Sequence, residues 1–84
     1  MTRFEVTVAG SPETGLPASF GIYDTVRKDY VRFYQAASCG PIATSIAEMM
    51  AEDLAEELEA MPRDIGLESL LDVLMAEPPQ LALR

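Results

Sequence analysis

Two prolines, Pro41 and Pro62, bracket the segment that most constrains this chain. Between them apolar residues recur at helical spacing without a break. At about 100° per residue, Ile46, Met50, Leu54 and Leu58 form one row, and Ala43, Ala47, Ala51 and Ala55 form the next. That apolar face is broader than one stripe needs, so another layer has to cover it. The alanine row lets a second backbone approach closely. Pro41 suits a first helical position, with Gly40 or Cys39 near the cap. Ser45 with Glu48 also fits a capping box, which leaves a later start open. Pro62 stops the helix, so it is expected over residues 41–61.

The covering layer has to come from the same chain, because 84 residues make one domain. Residues 1–38 supply it. Arg3–Ala9 alternates, with Phe4, Val6 and Val8 on one side and Glu5 and Thr7 on the other. Gly10–Pro17 is rich in turn formers and reads as a loop. Ser19–Gln35 reads as a hairpin in which Phe20 and Ile22 form one apolar row and Val31 and Phe33 another. A rival register would put Tyr30, Arg32 and Tyr34 in that row. The connection Asp24–Asp29 lacks Gly and Asn, so its turn type is open.

A second helix is expected over 64–77, with Asp64 as N-cap and Leu67, Leu70, Leu71, Leu74 and Met75 on a helical period. Gly66 weakens its first turn. Pro78-Pro79 ends it and leaves residues 78–84 as an extended tail. The expected fold is therefore α+β. A three-stranded antiparallel sheet is packed by an amphipathic helix, and a short second helix follows, in the order β-β-β-α-α. The second helix would pack on the first, close an end of the sheet, or serve a dimer contact.

Charge divides the chain in two. Residues 1–47 hold four acids and four bases, whereas residues 48–84 hold ten acids against Arg63 and Arg84. The whole net charge of −8 thus belongs to the second half. Such a field repels nucleic acid and anionic membranes and attracts basic protein surfaces. Most of it lies on the first helix. Glu48, Glu52, Glu56 and Glu59 fall within about 80° of one another, and Asp53 and Glu57 sit toward the other flank. No base lies three or four residues from any of them within the helix. Each like-charge pair at i,i+4 then costs roughly 0.2–0.5 kcal/mol. One reading is a solvated face chosen for helix propensity and solubility. The other is an electrostatic docking surface. Its carboxylates repeat about every 6 Å, which makes mimicry of a phosphate backbone geometrically feasible.

The hairpin offers a second candidate surface in Tyr23, Tyr30, Arg32 and Tyr34, since Tyr and Arg favour interface hot spots. An ordinary solvent face with cross-strand pairs is the plainer account. Catalysis finds little support. The chain has no His, no Gly-rich phosphate loop and no calcium-hand loop, so no catalytic residue, metal or cofactor is expected. The single Cys39 is expected as a small buried hydrophobe, and the methionines as core filler. One cysteine fits a reducing, cytoplasmic setting. Met1-Thr-Arg leads straight into the first alternating segment, so no secretory leader is expected, and no stretch approaches a membrane span.

The stretch FGIYDTVRKDYVRFYQAAS…IAEMMAEDLAEEL, over roughly residues 20–58, resembles a pattern common in small phage and mobile-element proteins. In that pattern an Ala/Glu-rich helix covers an aromatic hairpin. Together with small size, no catalytic set and an acidic half, the chain resembles phage anti-CRISPR proteins. That resemblance implies a stoichiometric inhibitor acting in the host bacterial cytoplasm. Its target would be a basic, nucleic-acid-binding surface of a type I CRISPR surveillance complex or its nuclease. The family shares no motif and no single fold, so it assigns no residue. The alternative expectation is a dimeric or adaptor module whose acidic face only gives solubility. A homodimer is left open by the sequence. Direct nucleic-acid or membrane binding is not expected.

Overall fold

The computed structural model describes residues 2–10, 15–63, 65–77 and 80–82. Strands β1 (Phe4–Gly10), β2 (Ser19–Asp24) and β3 (Asp29–Ala36) pair antiparallel, and helices α1 (Pro41–Ala60) and α2 (Ile65–Ala76) follow. This is the expected α+β layout. One element was not expected. Gln80–Ala82, read as part of an extended tail, forms β4, which pairs parallel with β3 and completes a sheet of order β1-β2-β3-β4. Parallel neighbours need a long crossover, and α1 and α2 provide it. The expected cap at Asp64 and the stop at Pro78-Pro79 lie outside the described residues.

Pro41 opens α1 at its first position, with Gly40 as an extended N-cap that makes no side-chain cap bond. The backbone N–H and hydroxyl of Thr44 both donate to the Gly40 carbonyl, at 3.0 and 2.9 Å. The later start at Ser45 is therefore not used. At the other end, the Leu58 carbonyl accepts both the Met61 N–H and an Arg63 guanidinium N–H, each at 3.3 Å.

The two helices bury different kinds of face. In α1 the alanine row lies deepest: Ala47 and Ala51 are fully buried, while Ile46, Met50 and Leu54 are only partly covered. Small side chains bring the helix backbone close to β1, β2 and β3, all of which it touches. In α2 the leucines Leu67, Leu71 and Leu74 are buried and complete one cluster with Phe4, Phe20, Ile22 and Val31. Each fully buried Leu contributes about 1.5–3 kcal/mol. α2 rests against β3. Side-chain bonds from Arg27, in the β2–β3 turn, hold it at that end of the sheet.

The hairpin register differs from the expected one because of a bulge. Phe20 faces Tyr34 and Ile22 faces Arg32, but Tyr23 then faces Tyr30, leaving Val31 as the extra residue. Directly opposed residues share a face, so the bulge moves the alternation by one. Val31 and Tyr34 are both buried on the helix side. Phe33, expected inward, lies opposite Gly21 on the far face. The connecting turn solves its geometry without Gly or Asn. Lys28 adopts φ 57°, and its N–H donates to the Asp24 carbonyl at 2.7 Å. The Asp24 carboxylate accepts from the N–H groups of Val26 and Arg27 at 2.9 and 3.3 Å. A short polar side chain thereby holds the turn that backbone propensity alone would not choose.

Candidate functional site: the exposed face of the first helix

Arginines and carboxylates meet first at the end of the sheet near the β2–β3 turn. Asp24 is fully buried, and Arg3 grips it with two bonds, Nε to Oδ1 at 2.8 Å and Nη2 to Oδ2 at 2.9 Å. Arg3 also reaches Glu68 at 3.2 Å. Arg27 donates to Glu68 at 2.8 Å and to Asp72 at 2.7 Å, joining the turn to α2. Burial pushes the Asp24 carboxyl up, but Arg3 and the two turn N–H groups outweigh it, so its pKa ends below the ordinary carboxylate range. Hydrogen bonds from Arg27 and then Arg3 lower Glu68 likewise.

Glu59 belongs to this structural set and not to a free acidic line. It accepts the N–H of Phe4 at 2.7 Å and that of Arg3, and Arg63 donates to it at 2.5 Å. The Phe4 N–H lowers its pKa most, helped by Arg63 and the Arg3 N–H. Arg63 sits four residues on, just past the helix, which is why a reading confined to the helix finds no counter-charge. Arg63 and Arg3 also stack over the Phe4 ring, at 5.5 and 5.2 Å from its centre. Arg32 pairs with Glu77.

The rest of the expected acidic face stays together. Glu48, Glu52, Asp53, Glu56 and Glu57 are all exposed on α1. Among the described residues none of the five carboxylates takes part in a hydrogen bond or an ion pair. Two exposed apolar side chains, Ile42 and Met49, share this side of the helix. Met49, at 57% exposure, departs from the expectation of a core methionine. Two shallow depressions border the acids. One, of about 390 Å³, is lined by Asp53, Glu56, Glu57 and Ala60. The other, of about 250 Å³, is lined by Tyr34, Met50, Asp53, Leu54 and Glu57.

The second expected surface breaks up. Tyr30, Arg32 and Tyr34 do not share the outer face, because the bulge sends Tyr34 to the buried side and sets Arg32 opposite Ile22. Arg32 is mostly buried, and its Nε has no partner among the described residues. Tyr23 and Tyr30 do meet outside, ring edge to ring face at 5.2 Å, and Phe33 joins Tyr30 at 4.9 Å. Gly21 makes room for them: a Cβ there would come within 2.8 Å of the Tyr30 ring and 2.9 Å of Phe33. Cys39 is exposed instead of buried, its Sγ 3.7 Å from the Gly15 carbonyl.

Sequence reasoning missed Asp24, Arg3 and Arg63 as partners. Two signals were present: an Asp opening a Gly-free turn, and an Arg at i+4 from Glu59. Among the described residues no three His, Cys, Asp or Glu side chains gather as a metal site, and no helix is long and apolar enough to cross a membrane. Comparison with family models, with curated proteins and with solved structures finds no match to this chain.

Proposed function

We propose that the protein is a non-enzymatic, stoichiometric binder that lays the exposed face of α1 on a basic, nucleic-acid-binding surface of a partner protein and blocks nucleic acid there. One contrast carries this reading. Arg3, Arg27, Arg32 and Arg63 all pair with carboxylates elsewhere, yet Glu48, Glu52, Asp53, Glu56 and Glu57 meet no donor among the described residues. A helix shaped only for stability would interleave bases at i+4 and recover the repulsion. A regular line of uncompensated charge is suited instead to complement Lys and Arg that otherwise hold phosphates. Docking of this kind is fast and salt-sensitive. The resemblance to anti-CRISPR proteins makes a type I surveillance complex in the bacterial cytoplasm the first partner to try.

The test is retention of target DNA by that purified complex, with and without the protein, across a salt series. Glu52→Lys with Glu56→Lys should abolish inhibition while the circular dichroism spectrum stays that of the parent. Full inhibition by the reversed protein would remove the acidic face from the mechanism. A second reading has its own observation. The ring cluster of Tyr23, Tyr30 and Phe33 lies on the sheet face away from the helices and suits a protein contact, including a homodimer. Sedimentation separates the two: a tight dimer whose assembly ignores salt would favour the sheet face.

A further inference from the structure

The flank of α1 nearest β3 differs from the rest of the acidic face. There the depression of about 250 Å³ has Met50, Leu54 and Tyr34 around it, with Asp53 and Glu57 one helical turn apart. Tyr34 is more than nine-tenths buried, and among the described residues its side chain makes no hydrogen bond. Its hydroxyl is not one of the fully buried unpaired atoms, so it is open to a donor from outside. Here a nearly buried ring and two unpaired carboxylates line one opening. Its volume lies below the roughly 300–1,000 Å³ of small-molecule sites, so it suits one side chain.

We propose that this depression receives an arginine side chain of the partner protein. The inference rests on the acidic-face reading and specifies its anchor. An arginine matches each part of the lining. Its methylene stem covers Met50 and Leu54, as long cationic side chains do on apolar surface. Its planar guanidinium presents several N–H donors at fixed angles, enough to serve Asp53, Glu57 and the Tyr34 oxygen together. A lysine ammonium fills the same charge role only as a point donor, without the fork of fixed N–H groups. The opposite flank, with Glu48 and Glu52, does not line this depression and supplies long-range attraction only.

The experiment uses the full chain and two probes, a hexa-arginine peptide and its hexa-lysine counterpart, with binding followed by amide chemical shifts. Asp53→Asn with Glu57→Gln and Glu48→Gln with Glu52→Gln remove the same charge from the two flanks. The anchor predicts about tenfold weaker arginine binding for the first pair and at most about threefold for the second. Tyr34→Phe, which keeps the ring, should weaken it about threefold. The largest shifts should fall at Tyr34, Met50 and Leu54, and arginine should bind more tightly than lysine. Equal losses from the two pairs would overturn the anchor and leave the acidic face standing. Equal affinity for the two peptides would overturn the choice of arginine. Binding that survives both pairs unchanged would overturn both readings. Displacement of the peptide by Mg²⁺ at constant ionic strength would assign the depression to a cation instead.

Discussion

Helix α1 treats one kind of side chain in two ways. At Glu59 the carboxylate accepts two backbone N–H groups at the start of β1 and a bond from Arg63. At Glu56 and Glu52, one and two turns earlier, it meets no donor among the described residues. The helix is continuous between them and its propensities are alike. What differs is what the tertiary structure brings near. An acid with a donor becomes part of the fold, and an acid without one remains available to a partner. The same division separates Asp24, Glu68 and Asp72, which hold α2 to the sheet, from the exposed line on α1.

Acidification should break the paired region first and most widely. Asp24, Glu59 and Glu68 have folded pKa values below their unfolded ones, so each stabilises fully above the unfolded carboxylate pKa of about 4. That stability is lost as pH falls through the lower folded values. Chemical denaturation between neutral pH and pH 3 should show a steep decline there, and a flat profile would deny the network any energetic role. Among single changes, Asp24→Asn should cost most, about 3 kcal/mol. It leaves Arg3 with Glu68 alone as a charged partner, and urea melts measure the loss directly.

Glu59→Ala should cost about 2 kcal/mol, because two backbone donors at the sheet edge lose a charged acceptor. A loss no larger than that of an exposed helix glutamate would erase the contrast drawn between the two parts of α1. Gly21→Ala tests the outer ring cluster and should cost about 1 kcal/mol, since the Tyr30 and Phe33 rings must give way. Near-ultraviolet circular dichroism should change with it. The smallest effect is the most diagnostic. Glu52→Lys gains opposite-charge neighbours at Glu48 and Glu56 and should stabilise the fold by at most about 0.5 kcal/mol. If the acidic line is a docking face, that slightly more stable protein binds its partner worse. A variant that is both more stable and fully active would make the line a matter of solubility.

The sheet teaches a related lesson about legibility. Strand period two and the helix between Pro41 and Pro62 were readable because each is written in local spacing. The face assignments of Phe33 and Tyr34 were not, because one extra residue at Val31 inverts everything after it. Tyr30 and Val31 are good strand formers and Arg32 is neither Gly nor Pro, so nothing local marks the bulge. β4 was hidden for another reason. Three residues form a strand only when an existing edge supplies their partners, and β3 is that edge.

The sequence by itself determined the order of the first three strands and the two helices, the amphipathic sense of α1 and the confinement of net charge to the second half. These follow from periodicity, proline punctuation and counting, all properties of residues close along the chain. The tertiary structure decided which charges are spent. Arg3 and Asp24, 21 residues apart, and Arg3 and Glu68, 65 apart, become neighbours only when the sheet closes and α2 docks. Hydrogen bonds act only at contact and screened Coulombic energies over about 10 Å in space, so sequence distance says nothing about them. Only the folded chain separates the acids that hold it together from those left facing outward.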